Sequence, residues 1–236
     1  MSTLAELAAA HLHLVLTAEQ EKAFDRYAAE LIAWNARVNL TAILDPNEIR
    51  IRHFLDSLTI AAALDLPPGL RIIDVGTGAG FPGIPLQIVR PELRMTLLEA
   101  TGKKVAYLQH MIDCLALSGA SALKGRAEEI GQLVQHRQQY GLALARAVAR
   151  LPVLLEYLLP LVRVGGQCVA MKGRTAHQEL EDSDRALSQL GGRLNRVETF
   201  RLPGVEEDHH LIVVDKVAST SLLYPRRPGL PAQKPL

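Results

Sequence analysis

Apolar positions recur with two different periods along the 236-residue chain, and the change falls near residue 68. Ahead of it, residues 3 to 64 carry a helical pattern. Phe24, Tyr27, Leu31 and Trp34 stand three or four positions apart and predict one apolar helix face. Thr17-Ala-Glu-Gln20 reads as a capping box, in which the Thr17 hydroxyl takes a backbone N–H that the first turn leaves unpaired. A second start lies at Asp45-Pro46-Asn47-Glu48, where Asp45 caps, Pro46 suits the first helical position and Glu48 closes the box. Ile49, His53, Phe54 and Leu58 ride on that helix, and Pro67-Pro68-Gly69 ends it.

Beyond residue 68, short apolar runs alternate with helical ones. Strands are predicted at 71–75, 94–99, 120–124, 141–146, 166–172, 195–201 and 210–217, and helices at 81–90, 102–118, 126–138, 150–163 and 175–190. Such alternation implies βαβ units, and so an α/β fold around a mostly parallel seven-stranded sheet. Between the last two strands lie only a Pro203-Gly204 turn and the acidic run Glu206-Glu207-Asp208. That pair can form a hairpin, which places an antiparallel strand at the C-terminal end of the sheet. The expected division is an N-terminal helical region (1–68), a ligand-binding α/β domain (69–218) and a basic, Pro-rich tail (219–236) that holds no acid.

Composition narrows the class. With 48% hydrophobic residues the chain can bury a substantial core. Its 26 Lys and Arg against 25 Asp and Glu leave a net charge of +1, so any nucleic-acid surface must be local. Cys114 and Cys168 sit in apolar runs without CxxC spacing, as reduced core cysteines of a cytosolic protein do. No leader pattern is evident at the N-terminus. The most apolar stretch, Leu151 to Val164, is interrupted by Glu156, Pro160 and Arg163 and is too short to span a bilayer. A cytoplasmic location without membrane contact is expected.

The chemistry concentrates at Arg71-Ile-Ile-Asp-Val-Gly-Thr-Gly-Ala-Gly-Phe-Pro-Gly83. A buried strand ends in Asp74 and Val75, and Gly76, Gly78 and Gly80 then let a ligand approach the backbone. Two cofactors compete for such a loop. Gly78-Ala-Gly80-Phe-Pro-Gly83 matches the dinucleotide pattern, with Glu99 near the position of a ribose-binding acid. In that register, however, the strand ends too early, and Asp74 would repel a pyrophosphate. S-adenosylmethionine carries no phosphate; it has an ammonium group and a cationic sulfonium, so Asp74 becomes favourable. Glu99, at the end of the second strand, can accept from both ribose hydroxyls.

Further residues carry a family likeness: Trp34-Asn35 with Asn39-Leu40-Thr41, Arg52-His53-Phe54-Leu55-Asp56-Ser57-Leu58, Asp74 through Pro85, Glu99 with Lys103-Lys104, Gly125-Arg126-Ala127-Glu128-Glu129, Ala145-Arg146-Ala147 and Lys172-Gly173. In this order they resemble the bacterial class I methyltransferases of the glucose-inhibited division protein B family, the small-subunit ribosomal RNA methyltransferases G. The resemblance covers nearly the whole chain. It implies a Rossmann-like class I methyltransferase fold and transfer of a methyl group from S-adenosylmethionine to N7 of a guanine in 16S ribosomal RNA, carried by the 30S subunit or an assembly intermediate. By matching positions it places cofactor contacts on Gly76, Phe81, Ala127, Glu128 and Arg146. A monomer is expected.

Guanine N7 has a free in-plane lone pair, so transfer needs positioning rather than a general base. Arg146 and Lys172, at the ends of the fourth and fifth strands, are the acceptor-side candidates. RNA contacts are expected among Arg50, Arg52, Lys103, Lys104, Lys124, Arg126, Lys172, Arg174, Arg226 and Arg227. His53 and Asp56 are one helical turn apart and can pair with each other. His209-His210 is not expected to hold a metal, because neighbours on a strand point to opposite faces. An NAD-dependent oxidoreductase and a non-catalytic RNA- or ribosome-binding module are the alternative readings.

Overall fold

The computed structural model describes residues 2–236. Strands β1 (Arg71–Val75), β2 (Arg94–Glu99), β3 (Ala120–Lys124), β4 (Tyr140–Arg146), β5 (Val162–Lys172), β6 (Gly192–Phe200) and β7 (His209–Lys216) form one sheet in the order β3-β2-β1-β4-β5-β7-β6. β1 to β5 run parallel. β7 slots antiparallel between β5 and β6. The hairpin expected at the end of the chain therefore supplies the one reversed strand, and it lies inside the sheet.

Both faces of the sheet are covered, which is why its strands read as near-continuous apolar runs. Ile72, Leu97, Leu142, Val169 and Val213 point to one side, and Ile73, Leu98, Ala143, Ala170 and Val214 to the other. The first side carries α1 (Leu4–Leu12), α2 (Ala18–Val38), α3 (Pro46–Glu48), a π-helical segment (Ile49–Leu55), α4 (Asp56–Ala63), α5 (Gly83–Val89) and α6 (Gly102–Cys114). The second carries α7 (Ala127–Ile130), α8 (Leu151–Leu158), α9 (Ala176–Glu181), α10 (Asp184–Leu190) and α11 (Leu230–Gln233). Phe24, Tyr27, Leu31 and Phe54 share one core with the sheet residues, so the N-terminal helices are bonded to the α/β layer by their apolar faces.

Local signals set several boundaries. Thr17 and Gln20 cap each other reciprocally at 3.2 and 2.9 Å. The Asp45 carboxylate accepts from the N–H groups of Asn47 and Glu48 at 2.9 and 3.0 Å, while the Glu48 carboxylate lies 3.5 Å from Arg52. Other boundaries differ from expectation. The helix read at 126–138 closes after Ile130, because Gly131 ends it and the exposed Leu133 and Val134 give it no face to bury. The helix read at 175–190 breaks at Ser183, whose hydroxyl donates back to the Glu179 carbonyl at 2.6 Å. The helix read at 102–118 stops at Cys114, before Ala116 turns left-handed.

The C-terminal residues fold back onto the second side. Arg137 donates to the carbonyls of Gly131, Thr220, Ser221 and Tyr224 at 2.7–2.9 Å. Arg226 grips the fully buried Glu156 in a two-pronged pair, with its shortest contact at 2.6 Å. Removing one partner of a buried pair strands the other charge. Arg226→Ala is thus expected to lower stability by about 3 kcal/mol, and a double Glu156→Met, Arg226→Ala variant to regain most of it. Denaturant titration of the two variants measures both effects.

Candidate active site

The strand order turns between β1 and β4, and ligands of open α/β sheets lie beyond the carboxyl ends of the strands at such a point. The loop after β1 occupies this crevice. Gly76 and Gly78 take φ of +68° and +61°, angles that a side chain rarely allows. A Cβ on Gly76 would press within 2.8 Å of Val148, whereas one on Gly78 would meet nothing nearer than 3.9 Å. The open side of Gly78 is where a ligand can approach the backbone.

Asp74 holds the loop in this shape. Its Oδ2 accepts from the Thr77 hydroxyl at 2.5 Å and from the Gly83 N–H at 2.8 Å. Its Oδ1 is equally buried and has no hydrogen-bond partner among the described residues. Burial lifts the Asp74 pKa to about 6, against the lowering effects of Thr77, Gly83 and Arg146. An unpaired buried carboxylate oxygen beside the loop suits a cationic ligand and opposes a phosphate. At the end of β2, Glu99 accepts from the N–H groups of Gly78 and Thr101 at 3.2 and 2.8 Å. Glu128, at the start of α7, accepts from the Gly229 N–H of the C-terminal segment at 3.0 Å. Gly76, Glu99, Ala127, Glu128, Val148 and Tyr157 enclose a cavity of about 230 Å³.

A second cavity, of about 350 Å³, opens on the other side of the loop after β4 and is lined by Arg52, His53, Arg146, Ala147, Lys172 and His209. Val148 borders the first cavity and Ala147 the second, so the two flank a single short backbone ridge. Ala147 has φ 55°, a conformation that costs a non-glycine residue energy and marks backbone under constraint. A larger cavity of about 470 Å³, near Leu70, Gly141 and Arg163, lies at the amino ends of the parallel strands, away from the carboxyl ends where such ligands bind.

Arg146 dominates the second cavity. Its Nη1 donates to the Arg52 carbonyl at 2.9 Å and to Asp56 Oδ2 at 2.7 Å, and its Nη2 donates to His53 Nδ1 at 2.9 Å. The guanidinium also rests over the Phe81 ring, 5.1 Å from its centroid. Asp56 Oδ1 meets His209 Nδ1 at 2.8 Å. His53 and Asp56 were expected to pair with each other; instead both converge on Arg146. Burial, and then the facing Arg146, hold the His53 pKa down at about 4. The imidazole is therefore neutral near pH 7 with its Nδ1 lone pair toward the guanidinium.

The other residues singled out from the sequence fall into two groups. Gly76, Glu99, Ala127 and Glu128 surround the first cavity, with Gly78 and Gly80 in the loop beside it. The Phe81 side chain faces inward, stacked on His53 and Tyr27 at 4.5 and 5.3 Å, so only its backbone is available to a ligand. Lys172 and Arg226 were expected to meet RNA, yet both are spent inside the chain. Lys172 donates to the Ala149 carbonyl at 2.5 Å and pairs with Glu179 at 2.7 Å, and Arg226 holds Glu156. Lys103 and Arg227 are exposed, and Arg52 and Lys104 are half-buried. The Asp56–His209 contact was not foreseen, since 153 residues separate the partners and no local spacing signals it.

The family model described as rRNA small subunit methyltransferase G matches residues 20–212. A protein called ribosomal RNA small subunit methyltransferase G in Roseiflexus sp. (strain RS-1) is 51% identical, covering 94% of each chain. Its namesake in Pelotomaculum thermopropionicum is 44% identical over 100% of both. A SAM-dependent methyltransferase from Aquifex aeolicus shares the fold at TM-score 0.54 and 16% identity, covering 72% of this chain and 93% of its own. TYW2 of M. jannaschii, solved with AdoMet, superposes at TM-score 0.52 and 11% identity over 86% and 79%. Fold and family together define a class I, S-adenosylmethionine-dependent methyltransferase. Within that class the chain belongs to the rRNA small subunit methyltransferase G (GidB) family.

Two outcomes are expected. Asp74→Ala should abolish S-adenosylmethionine binding in isothermal titration, and wild-type affinity should fall as pH drops below about 6, where Asp74 takes up a proton; unchanged affinity in the variant would leave Asp74 a purely structural role. His53 binds its proton more weakly when folded (about 4) than when unfolded (about 6.5), so its share of stability is complete above pH 6.5 and is lost as pH falls through 4. The melting-temperature gap between wild type and His53→Gln should accordingly narrow over that interval.

Proposed function

We propose that this chain methylates N7 of a guanine in 16S ribosomal RNA, acting as a monomer on the 30S subunit or an intermediate of its assembly, with the cofactor in the first cavity and the target base at the second. The observation that carries this reading is the ridge at Ala147, which separates a cavity lined by Glu99 and Glu128 from one lined by Arg146. Bound S-adenosylmethionine supplies an electrophilic methyl group on a cationic sulfonium. Glu99 and Glu128 in the lining of the first cavity suit that cation, buried Asp74 shapes the loop beside it, and the backbone of Gly78 lets it come close.

The acceptor side supplies orientation and charge. Guanine N7 has no proton to lose, so the transfer asks the second cavity for no general base. The His53 lone pair is used by Arg146, and the Lys172 ammonium is used by Glu179. Three of the five Arg146 N–H donors are taken within the described residues, which leaves two for an oxygen of the RNA. Covalent catalysis through a thiolate is disfavoured, because Cys168 lies inside the sheet and burial pushes its thiol up to about 12. Arg126 lines the first cavity, and Lys124 at the end of β3, Lys103 in the first turn of α6 and Arg227 on the tail are exposed, local basic groups on a chain of net charge +1.

Tritiated methyl transfer to 30S subunits that lack the modification tests the reading. The label should enter one guanine of 16S RNA, and borohydride with aniline should cleave the strand there, as N7 methylation allows. Label that resists this cleavage would overturn the N7 assignment, and label on naked RNA but not on particles would overturn the particle.

A further inference from the structure

Arg146 is held by a chain of contacts that begins far from it in sequence. The π-helical segment Ile49–Leu55 is its first part. At the end of this segment the Asp56 N–H reaches the carbonyls of His53 and Ile51, the latter an i−5 bond, and bypasses the Arg52 carbonyl that an α-helix would use. That bypassed carbonyl accepts from Arg146 Nη1 at 2.9 Å. The wider turn also brings His53 and Asp56 to one guanidinium.

The imidazole of His53 is itself oriented. His53 Nδ1 lies 2.9 Å from Arg146 Nη2, which only donates, and 3.2 Å from the Arg52 carbonyl, which only accepts; the shorter, charge-assisted contact to the guanidinium favours Nδ1 as the acceptor nitrogen. In the neutral ring the proton then sits on Nε2, which donates to the Thr41 hydroxyl at 2.9 Å. Thr41 Oγ1 also accepts from the Ile43 N–H at 3.0 Å. The loop that carries Thr41 is pinned in turn by Asn35, whose side-chain oxygen accepts from the N–H groups of Leu40 and Thr41 at 2.6 and 2.8 Å. Asn39 makes the turn possible by taking the left-handed conformation after α2, at φ 57°.

We propose that Asn35, Thr41 and His53 are positioning residues for methyl transfer: Thr41 fixes the tautomer and tilt of the His53 ring, and the ring aims the Arg146 guanidinium at the acceptor. The proposal rests on the placement of Arg146 at the acceptor side given above. Thr41 lines neither cavity, so it acts through His53 alone. If its hydroxyl were only a local cap for Ile43, removing it would leave the chemical step intact. If it orients His53, its loss frees the imidazole to flip and lets Arg146 rotate off its bearing.

The test compares Thr41→Val with Thr41→Ser in methyl transfer to 30S subunits, beside melting temperature and the ¹⁵N signals of His53, identified by their loss in His53→Gln. Thr41→Val is expected to lower kcat by roughly tenfold to a hundredfold, the range that small misplacements cost, while KM for S-adenosylmethionine and the melting temperature stay near wild type. Thr41→Ser should restore kcat. The wild-type ring should show one Nε2–H tautomer and Thr41→Val a mixture. Wild-type kcat in Thr41→Val, or a Ser variant as slow as the Val variant, overturns the relay. Arg146→Ala separates this failure from that of the underlying reading. An inactive Arg146→Ala beside a fully active Thr41→Val sinks the relay alone, whereas full activity in Arg146→Ala removes Arg146 from the site and the relay with it.

Discussion

A guanidinium cannot be taken out of water at the end of a strand unless its donors are met, and much of this molecule is arranged around meeting those of Arg146. Its partners come from Arg52, His53 and Asp56, all ahead of the sheet in sequence. Asp56 then needs a second partner and finds His209, from the last strand. One half-buried cation therefore ties together the N-terminal helices, the middle of the sheet and its final strand. The apolar contacts follow the same line: Phe24, Tyr27, Phe54 and Phe81 stack in sequence from α2 to the glycine loop. Tyr27 closes the seam by donating to the Ala79 carbonyl at 2.6 Å.

The glycine loop faces two ways because of this packing. Its backbone turns toward the cavity bounded by Glu99 and Glu128, and its one large side chain, Phe81, turns back beneath Arg146. A shift on either side is felt on the other through a single ring. Arg146 also favours the charged form of Asp74, though burial outweighs it and leaves that carboxyl raised.

Much of this was legible in the residues themselves. The first three strands matched their expected limits, since each is a short apolar run closed by glycine, proline or charge. Asp74, Glu99 and Glu128 could be placed at strand ends because parallel strands align those ends in space. What stayed hidden was pairing at long range. Lys172 and Arg226 look like surface cations in sequence, and only the fold reveals Glu179 and Glu156 beneath them. The helix at 126–138 failed for a related reason: its apolar residues have the right spacing but no neighbour to pack against. The π-helical turn has no local signature either, and becomes intelligible only once Arg146 is seen to use the Arg52 carbonyl.

The reversed strand has a consequence for how such a chain is made. β7 pairs with β5 along residues 167–172 and with β6 on its other edge, yet it is the last strand to leave the ribosome. Until residues 209–216 emerge, the β5 edge presents unpaired backbone groups, which template aggregation when left open. Asp56 meanwhile waits for His209 across 153 residues, a long-range closure of the kind that slows folding. Synthesis that stops short of β7 would leave a sheet with an open seam and an unfinished acceptor side. The last strand therefore closes both the sheet and the Asp56–His209 contact, so neither is complete until the end of the chain has folded.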